Sequence, residues 1–298
     1  MRILLTGGGG FLGAWIASRL TRGNVEVRVF ERHDDRTLAR TIVGEAADRL
    51  DWRVGDIVDT GAVAAAAEGC DGIVHLAGVL TPACKDDPLA GARINVLGTL
   101  NVFEAARAHG IRQVVYTSSG GVYGPDDRPE PFPTTHYGAF KLANEGSARA
   151  YWEDAGIASM GFRPFVVYGP GRVGGLTAGP TLACRAAARG EPYVIPFTGS
   201  AGMVYVDDVA AAYEAATRSE LAGAHTLNLT GQVAAMDEVA ASIRRIVPGA
   251  DIRADGPALP SGTSAANEWA SGVLPLDRER TLDEGLAETV DFYRRTPA

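Results

Sequence analysis

The chain has 298 residues, 46% of them hydrophobic and 21% charged, enough for one large α/β domain with a smaller appendage but not for two independent cores. A formal net charge of −8 counts against a general affinity for nucleic acid or an anionic membrane surface, and no apolar run reaches membrane-spanning length. Cys70, Cys84 and Cys184 are odd in number and far apart, which excludes a disulfide framework and a metal-ligand spacing; with no signal peptide before the first apolar run, the expected location is cytoplasmic.

Ile3, Leu4 and Leu5 read as a strand buried on both faces, followed by Thr6, four glycines and a helical pattern from Phe11. Strand, glycine turn and helix start together form a pyrophosphate site, where free N–H groups and the positive dipole end face the phosphates. The glycines fit two registers, Gly8-x-Gly10-x-x-Gly13 and Gly7-x-x-Gly10-x-x-Gly13. Either way Gly10 allows close backbone approach and Gly13 allows tight helix–strand packing.

The second strand, from Val25 to Phe30, ends at Glu31, 21 residues beyond Gly10 (31 − 10 = 21). An acid there accepts hydrogen bonds from the adenosine ribose and repels the extra phosphate of NADP, which favours NAD. Arg32 beside it reads as a solvated charge, with a swing toward a 2′-phosphate, and so NADP, left open. A third strand, Trp52–Ile57, ends in Gly55-Asp56-Ile57. Asp56 is placed to accept from the adenine amino group with Ile57 packing on the ring, or to serve as the N-terminal acid of the next helix.

The fourth strand runs from Gly72 through His75 to Leu76-Ala77-Gly78, where the glycine lets backbone approach the cofactor, and His75 reads as a structural residue held by hydrogen bonds. A long helix follows from Arg93 to about Ala108; Asn95 lies in it among apolar neighbours, and burial would require partners, for which nearby backbone suffices. Gln113–Thr117 is the fifth strand, and Ser118 and Ser119 at its carboxyl end lie beside the ligand crevice. After a proline-rich loop (Pro125–Pro133), Tyr137 and Lys141 stand four apart on one face of a helix. A phenol becomes a usable base at neutral pH when a lysine ammonium and a cationic nicotinamide lower its pKa.

With these motifs in this order, the chain resembles the extended short-chain dehydrogenases/reductases, also called the NAD-dependent epimerase/dehydratase family. The resemblance rests on Thr6–Gly13, Gly55–Ile57, His75–Gly78, Asn95–Thr99, Ser118–Gly124, Tyr137–Lys141, Arg163–Gly171, Val204–Val209 and Leu282–Leu286. It implies a doubly wound parallel (Rossmann) sheet over residues 1–167, completed by about 204–230, with a small substrate-binding lobe from 168–203 and 231–298. It also implies cofactor contacts from Gly7, Gly10, Phe11, Leu12, Gly13, Leu76, Ala77, Gly78, Phe165 and Val167. Tyr137 is then the general acid/base, Lys141 lowers its pKa and binds the nicotinamide ribose, and Ser119 holds the substrate oxygen, with Ser118 as its alternative. Asn95 matches the asparagine that supports a proton relay.

Two positions depart from the nucleotide-sugar enzymes of that family. Val166 stands where many carry a diphosphate-contacting Asn, and Thr198–Val204 contains no basic residue to pair with a diphosphate. With a short lobe whose stretch Gly249–Pro275 is rich in Gly, Pro, Ala and Ser, these favour an NAD-dependent dehydrogenase or reductase of a small sugar, sugar acid or hydroxy acid. A nucleotide-sugar 4-epimerase is the alternative, and a non-catalytic NAD(P)-sensing protein the third reading. Arg172, after Tyr168–Gly171, is the candidate for a substrate carboxylate, against the bland reading of a solvated charge. Arg163, within its strand, reads as half of a structural ion pair. Apolar residues on two faces of the helices around 94–108 (Val96, Leu100, Val102, Phe103) and 137–152 (Phe140, Leu142, Tyr151, Trp152) predict a homodimer.

Overall fold

The structure, a computed structural model, describes residues 1–125, 129–259, 265–269 and 272–296. Parts of the Pro125–Pro133 loop and of the Gly249–Pro275 stretch therefore lie outside the described residues. Strands β1 (Arg2–Thr6), β2 (Glu26–Glu31), β3 (Asp51–Val54), β4 (Gly72–His75), β5 (Gln113–Thr117) and β6 (Ala158–Pro164) follow one another with helices between them. The shorter strands β7 (Val166–Tyr168), β8 (Tyr193–Ile195) and β9 (Ser200–Tyr205) come next, then β10 (Ala224–Leu229), β11 (Gln232–Ala235) and β12 (Ile252–Ala254).

Seven of these form one parallel sheet in the order β10-β6-β5-β4-β1-β2-β3. The chain winds outward from β1 to β3, then crosses to β4 on the other side of β1. The carboxyl ends of β1 and β4 thus frame the switch point where ligands bind in such sheets. Successive strand residues serve opposite faces: Ile3, Leu5, Val74 and Val115 enter one core, Leu4, Ile73, Val114 and Tyr116 the other. The first core is covered by helices Phe11–Arg22 and Val206–Arg218, the second by Thr60–Ala67, Gly98–Ala108 and His136–Ala155. With both faces covered, the central strands β1 and β4 read as near-continuous apolar runs.

Beyond the sheet, β11, β9 and β7 form a three-stranded sheet and β12 pairs with β8. Helices Gly179–Arg189, Met236–Ile246 and Leu282–Arg295 pack with these strands. Thr281 caps the last helix and Glu284 returns the bond to the Thr281 backbone N–H, a reciprocal capping box.

Two expectations are corrected. The third strand ends at Val54 rather than Ile57, because the chain turns at Gly55, where a Cβ would meet the Phe30 ring at 2.6 Å. The helix expected from Arg93 begins with a π-helical segment, Arg93–Leu97, before the α-helix Gly98–Ala108. All three cysteines are buried and free.

Candidate active site

The glycine turn divides its labour among residues. Gly7 has φ 75°, and a Cβ on it would lie 2.8 Å from the Ala77 backbone nitrogen, so it closes β1 against the end of β4. A Cβ on Gly13 would overlap the Gly7 carbonyl oxygen, so it sets the helix against the strand. Gly10 differs from both. Its φ of −76° suits any residue, and a Cβ there would meet only the Gly7 oxygen at 3.3 Å. Neither backbone conformation nor an outright clash requires a glycine at this position, which leaves it open to close approach by a ligand. Helix Phe11–Arg22 starts there without a side-chain cap and without an acid in its first turn, leaving its N–H groups to an anion. The chain fits a dinucleotide pyrophosphate at this point.

Glu31 closes the next edge. Its Oε1 accepts from Gly9 N at 2.8 Å, and burial raises the carboxyl above its ordinary pKa. The exposed Arg32 side chain lies 3.8 Å from the Asp56 carboxylate. Asp59, not Asp56, caps helix Thr60–Ala67, accepting from Ala62 N, so Asp56 bonds only the local Val58 N and that distant guanidinium. Ile57 is already buried in the chain's own core beneath Gly98, which leaves little of it to pack on an adenine ring.

At the end of β4 a buried chain of polar groups fixes the backbone. Thr99 donates to the Asn95 carbonyl, so its oxygen accepts from His75 Nε2; His75 Nδ1 then accepts from Thr6. Thr6 in turn accepts from Leu76 N and Ala77 N. Burial beside Lys141 lowers His75 to about 3, so it stays neutral and structural. Asn95 binds the Val79 backbone through both ends of its amide and reaches Cys84 Sγ. Its carbonyl, freed by the π turn, accepts from Asn144. These are the contacts of a side chain satisfying nearby backbone, so Asn95 is a positioning residue in this structure.

Thr135 caps helix His136–Ala155 and puts Tyr137 in its first turn. A Cβ on Gly138 would overlap the Gly121 carbonyl oxygen, so that glycine lets the helix start dock on the loop carrying Ser119. The Ser119 hydroxyl accepts from Gly121 N at 3.0 Å, and a Cβ on Gly121 would lie 3.2 Å from that hydroxyl and 3.9 Å from the Tyr137 ring. One turn on, Lys141 Nζ lies 5.6 Å from the Tyr137 ring centre and donates to the Thr117 carbonyl at 2.7 Å. Burial pushes Tyr137 up to about 12 and Lys141 down to about 8. In the protein alone, burial outweighs the Ser119 hydroxyl and the Arg172 charge that favour the phenolate, so the phenol stays protonated without a bound cationic nicotinamide.

Ser118 is also corrected. It is fully buried and its hydroxyl is committed to Glu145 Oε1 at 2.5 Å. Glu145 in turn is gripped by Arg163 through two bonds, at 2.8 and 2.6 Å, and Arg163 also donates to the Tyr123 hydroxyl. Arg163 is the structural ion-pair partner expected of it. Glu145 was missed, although it lies four residues after Lys141 on the same helical stripe, which was the signal available. Thr6, Thr117 and Thr177 were missed as well, since each acts through a bond that no local pattern marks. Phe165 is half-buried and lies where a Cβ on Gly120 would strike its ring at 2.9 Å; Val167 is buried and offers its carbonyl to Arg172. Arg172 is half-buried rather than solvated, donating to Val167 O and, at 2.6 Å, to Thr177 Oγ1.

The model of the NAD dependent epimerase/dehydratase family matches residues 3–229. The UDP-glucose 4-epimerase of Mycolicibacterium smegmatis is 31% identical over 310 residues, 99% of this chain and 99% of its own length. The uronate dehydrogenase of Pseudomonas putida is 32% identical over 169 residues, 54% of this chain and 59% of that one. The solved UDP-glucose 4-epimerase of Thermus thermophilus, in complex with NAD, superposes with a TM-score of 0.83 at 25% identity over 100% of both chains.

Proposed function

The chain belongs to the NAD-dependent epimerase/dehydratase family and is an NAD-dependent enzyme of the extended short-chain dehydrogenase/reductase type; from this we propose that it catalyses net oxidation or reduction of a small hydroxyl or carbonyl substrate. NAD, when bound, supplies the hydride acceptor or donor at its nicotinamide ring. In the oxidising direction Tyr137 takes the proton of the substrate hydroxyl as the hydride leaves the same carbon. Ser119 holds the reacting oxygen, and Lys141 keeps positive charge on the tyrosine's side of the cleft. Glu31 receives the adenosine ribose hydroxyls. Residues 168–203 and 231–298 supply the substrate lobe.

The observation that favours net redox over epimerisation is the composition of two segments. Val166 is buried and apolar, and Thr198–Val204 brings no cation, so a nucleotide diphosphate would meet no charge partner from either segment. The full-length likeness to UDP-glucose 4-epimerase favours the second reading, in which the same groups oxidise and re-reduce one carbon. Absorbance at equilibrium separates the two: a dehydrogenase accumulates NADH with its substrate, whereas an epimerase converts UDP-glucose without net NADH.

We also propose a homodimer through the face that includes exposed Leu89 and Leu97 with half-buried Val96, Leu100, Phe140 and Leu142. Val102 and Phe103 do not belong to that face: both are buried in their own core, and Tyr151 stacks on Phe103 with centroids 4.8 Å apart. Light scattering that returns a monomer at micromolar concentration would remove this assignment.

A further inference from the structure

Several partly buried guanidiniums among the described residues have carboxylate partners, and Arg172 in the cleft does not. Arg19 pairs with Asp207, Arg28 with Asp51, Arg163 with Glu145 and Arg280 with Asp208. Arg172 has no carboxylate partner among the described residues; its bonds go to the neutral Val167 carbonyl and Thr177 hydroxyl, and its guanidinium lies 5.9 Å from the Phe11 ring centre. Holding a cation away from water without a counter-charge is costly, and an anion arriving with a ligand relieves that cost. Two neutral bonds leave guanidinium N–H groups to spare for it. Burial lowers the Arg172 guanidinium to about 10, opposed by Tyr137.

An aliphatic side chain also lies beside that cation. A Cβ on Gly175 would lie 3.5 Å from Leu80 Cδ1 and 3.7 Å from Arg172 Nη2, so Leu80 and the guanidinium flank the same spot. Leu80 is 50% exposed, and Val173 and Leu176, in the same loop as Arg172, are 66% and 63% exposed. A polyhydroxylated ring would find few acceptors and donors on such a lining, whereas an alkyl group would bury it.

Resting on the oxidoreductase reading above, we propose that the substrate is a hydroxy or oxo carboxylic acid bearing an aliphatic substituent. Arg172 and Thr177 receive its carboxylate, and Leu80, Val173 and Leu176 cover the alkyl arm. The reacting carbon then stands between that anchor and Tyr137.

Calorimetric titration of the enzyme–NADH complex tests this without knowing the substrate, using hexanoate as the probe and acetate and 1-hexanol as its two halves. Hexanoate should bind at least about tenfold more tightly than either half, because charge and alkyl surface are both required. Arg172→Met should lose about tenfold or more for hexanoate and leave 1-hexanol unchanged, and Arg172→Lys should recover part of the loss. Leu80→Asn should bring hexanoate down toward acetate. Thermal melts of each variant separate lost binding from lost folding. The inference is overturned if hexanoate binds no better than its halves, or equally well to Arg172→Met. It is overturned too if Arg172→Met weakens NADH itself as much as hexanoate, because the anion is then the cofactor's pyrophosphate. The oxidoreductase reading stands or falls separately: failure of NADH to bind, or turnover that survives Tyr137→Phe, would remove it, whereas Tyr137-dependent turnover of an uncharged substrate would remove only the acid.

Discussion

Tyr137 and Lys141 feel the same burial in opposite directions, and that makes each separately testable. Tyr137→Phe should cut turnover by about 10²–10⁴-fold, the usual contribution of a general acid/base, while fold and NAD binding persist. With Tyr137 pushed up to about 12, the protein alone keeps the phenol protonated; ultraviolet difference titration against Tyr137→Phe should show its step move down when NAD is added. Lys141 carries a stability cost. Lowering its pKa from 10.5 to about 8 corresponds to about 3 kcal/mol against the protonated folded state, offset by about 1.5–3 kcal/mol from its bond to the Thr117 carbonyl. Lys141→Met should therefore be inactive yet at least as stable as the parent at pH 7. The cost is present in full below about pH 8, where folded and unfolded chains are both protonated. As pH rises from there toward the unfolded value, the folded chain binds fewer protons and the parent gains on the variant; denaturant melts across that window read the difference. Glu145→Gln leaves Arg163 buried without its counter-charge and should lower unfolding free energy by about 3–5 kcal/mol. The Tyr–Lys spacing made the helical stripe legible in the sequence, but Ser118 was misplaced because adjacent strand-end residues point to opposite sides and nothing local says which side is the cleft.

At the level of elements, the glycine turn offers two substitutions that look alike and should behave differently. Gly13→Ala places a methyl on the Gly7 carbonyl, so it should lower the melting temperature and impair cofactor binding together. Gly10→Ala sets its methyl 3.3 Å from the Gly7 carbonyl oxygen, a far milder contact, and should lower the melt much less than Gly13→Ala while NAD affinity falls at least about tenfold. Equal effects of both on stability would mean that Gly10 is structural. The spacing of these glycines was readable because a strand, a turn and a helix recur at fixed intervals. The π turn at Arg93–Leu97 was not, since it depends on Asn144 reaching the Asn95 carbonyl from another helix, 49 residues away. Likewise, Asp59 rather than Asp56 became the cap because β3 ended earlier than the apolar pattern suggested.

Across the whole molecule, the switch point between β1 and β4 was legible from the order of motifs, whereas the charged knot behind it was not. Arg19 meets Asp207 across 188 residues, and Arg280 reaches the same carboxylate from 73 residues further on, partnerships that no spacing announces. The same long-range character governs the sheet's far edge. Strand β6 is complete at Pro164, but the neighbour that pairs with its open side, β10, begins at Ala224, 60 residues later (224 − 164 = 60). During synthesis at about 5–20 residues per second, that edge stands bare for about 3–12 s, its N–H and C=O groups unanswered. A nascent chain stalled within the lobe thus displays a nearly finished sheet with a strand-shaped vacancy, so ribosome pausing between residues 165 and 223 is where this fold is most open to strand exchange with another copy and where a holdase chaperone has a template to cover.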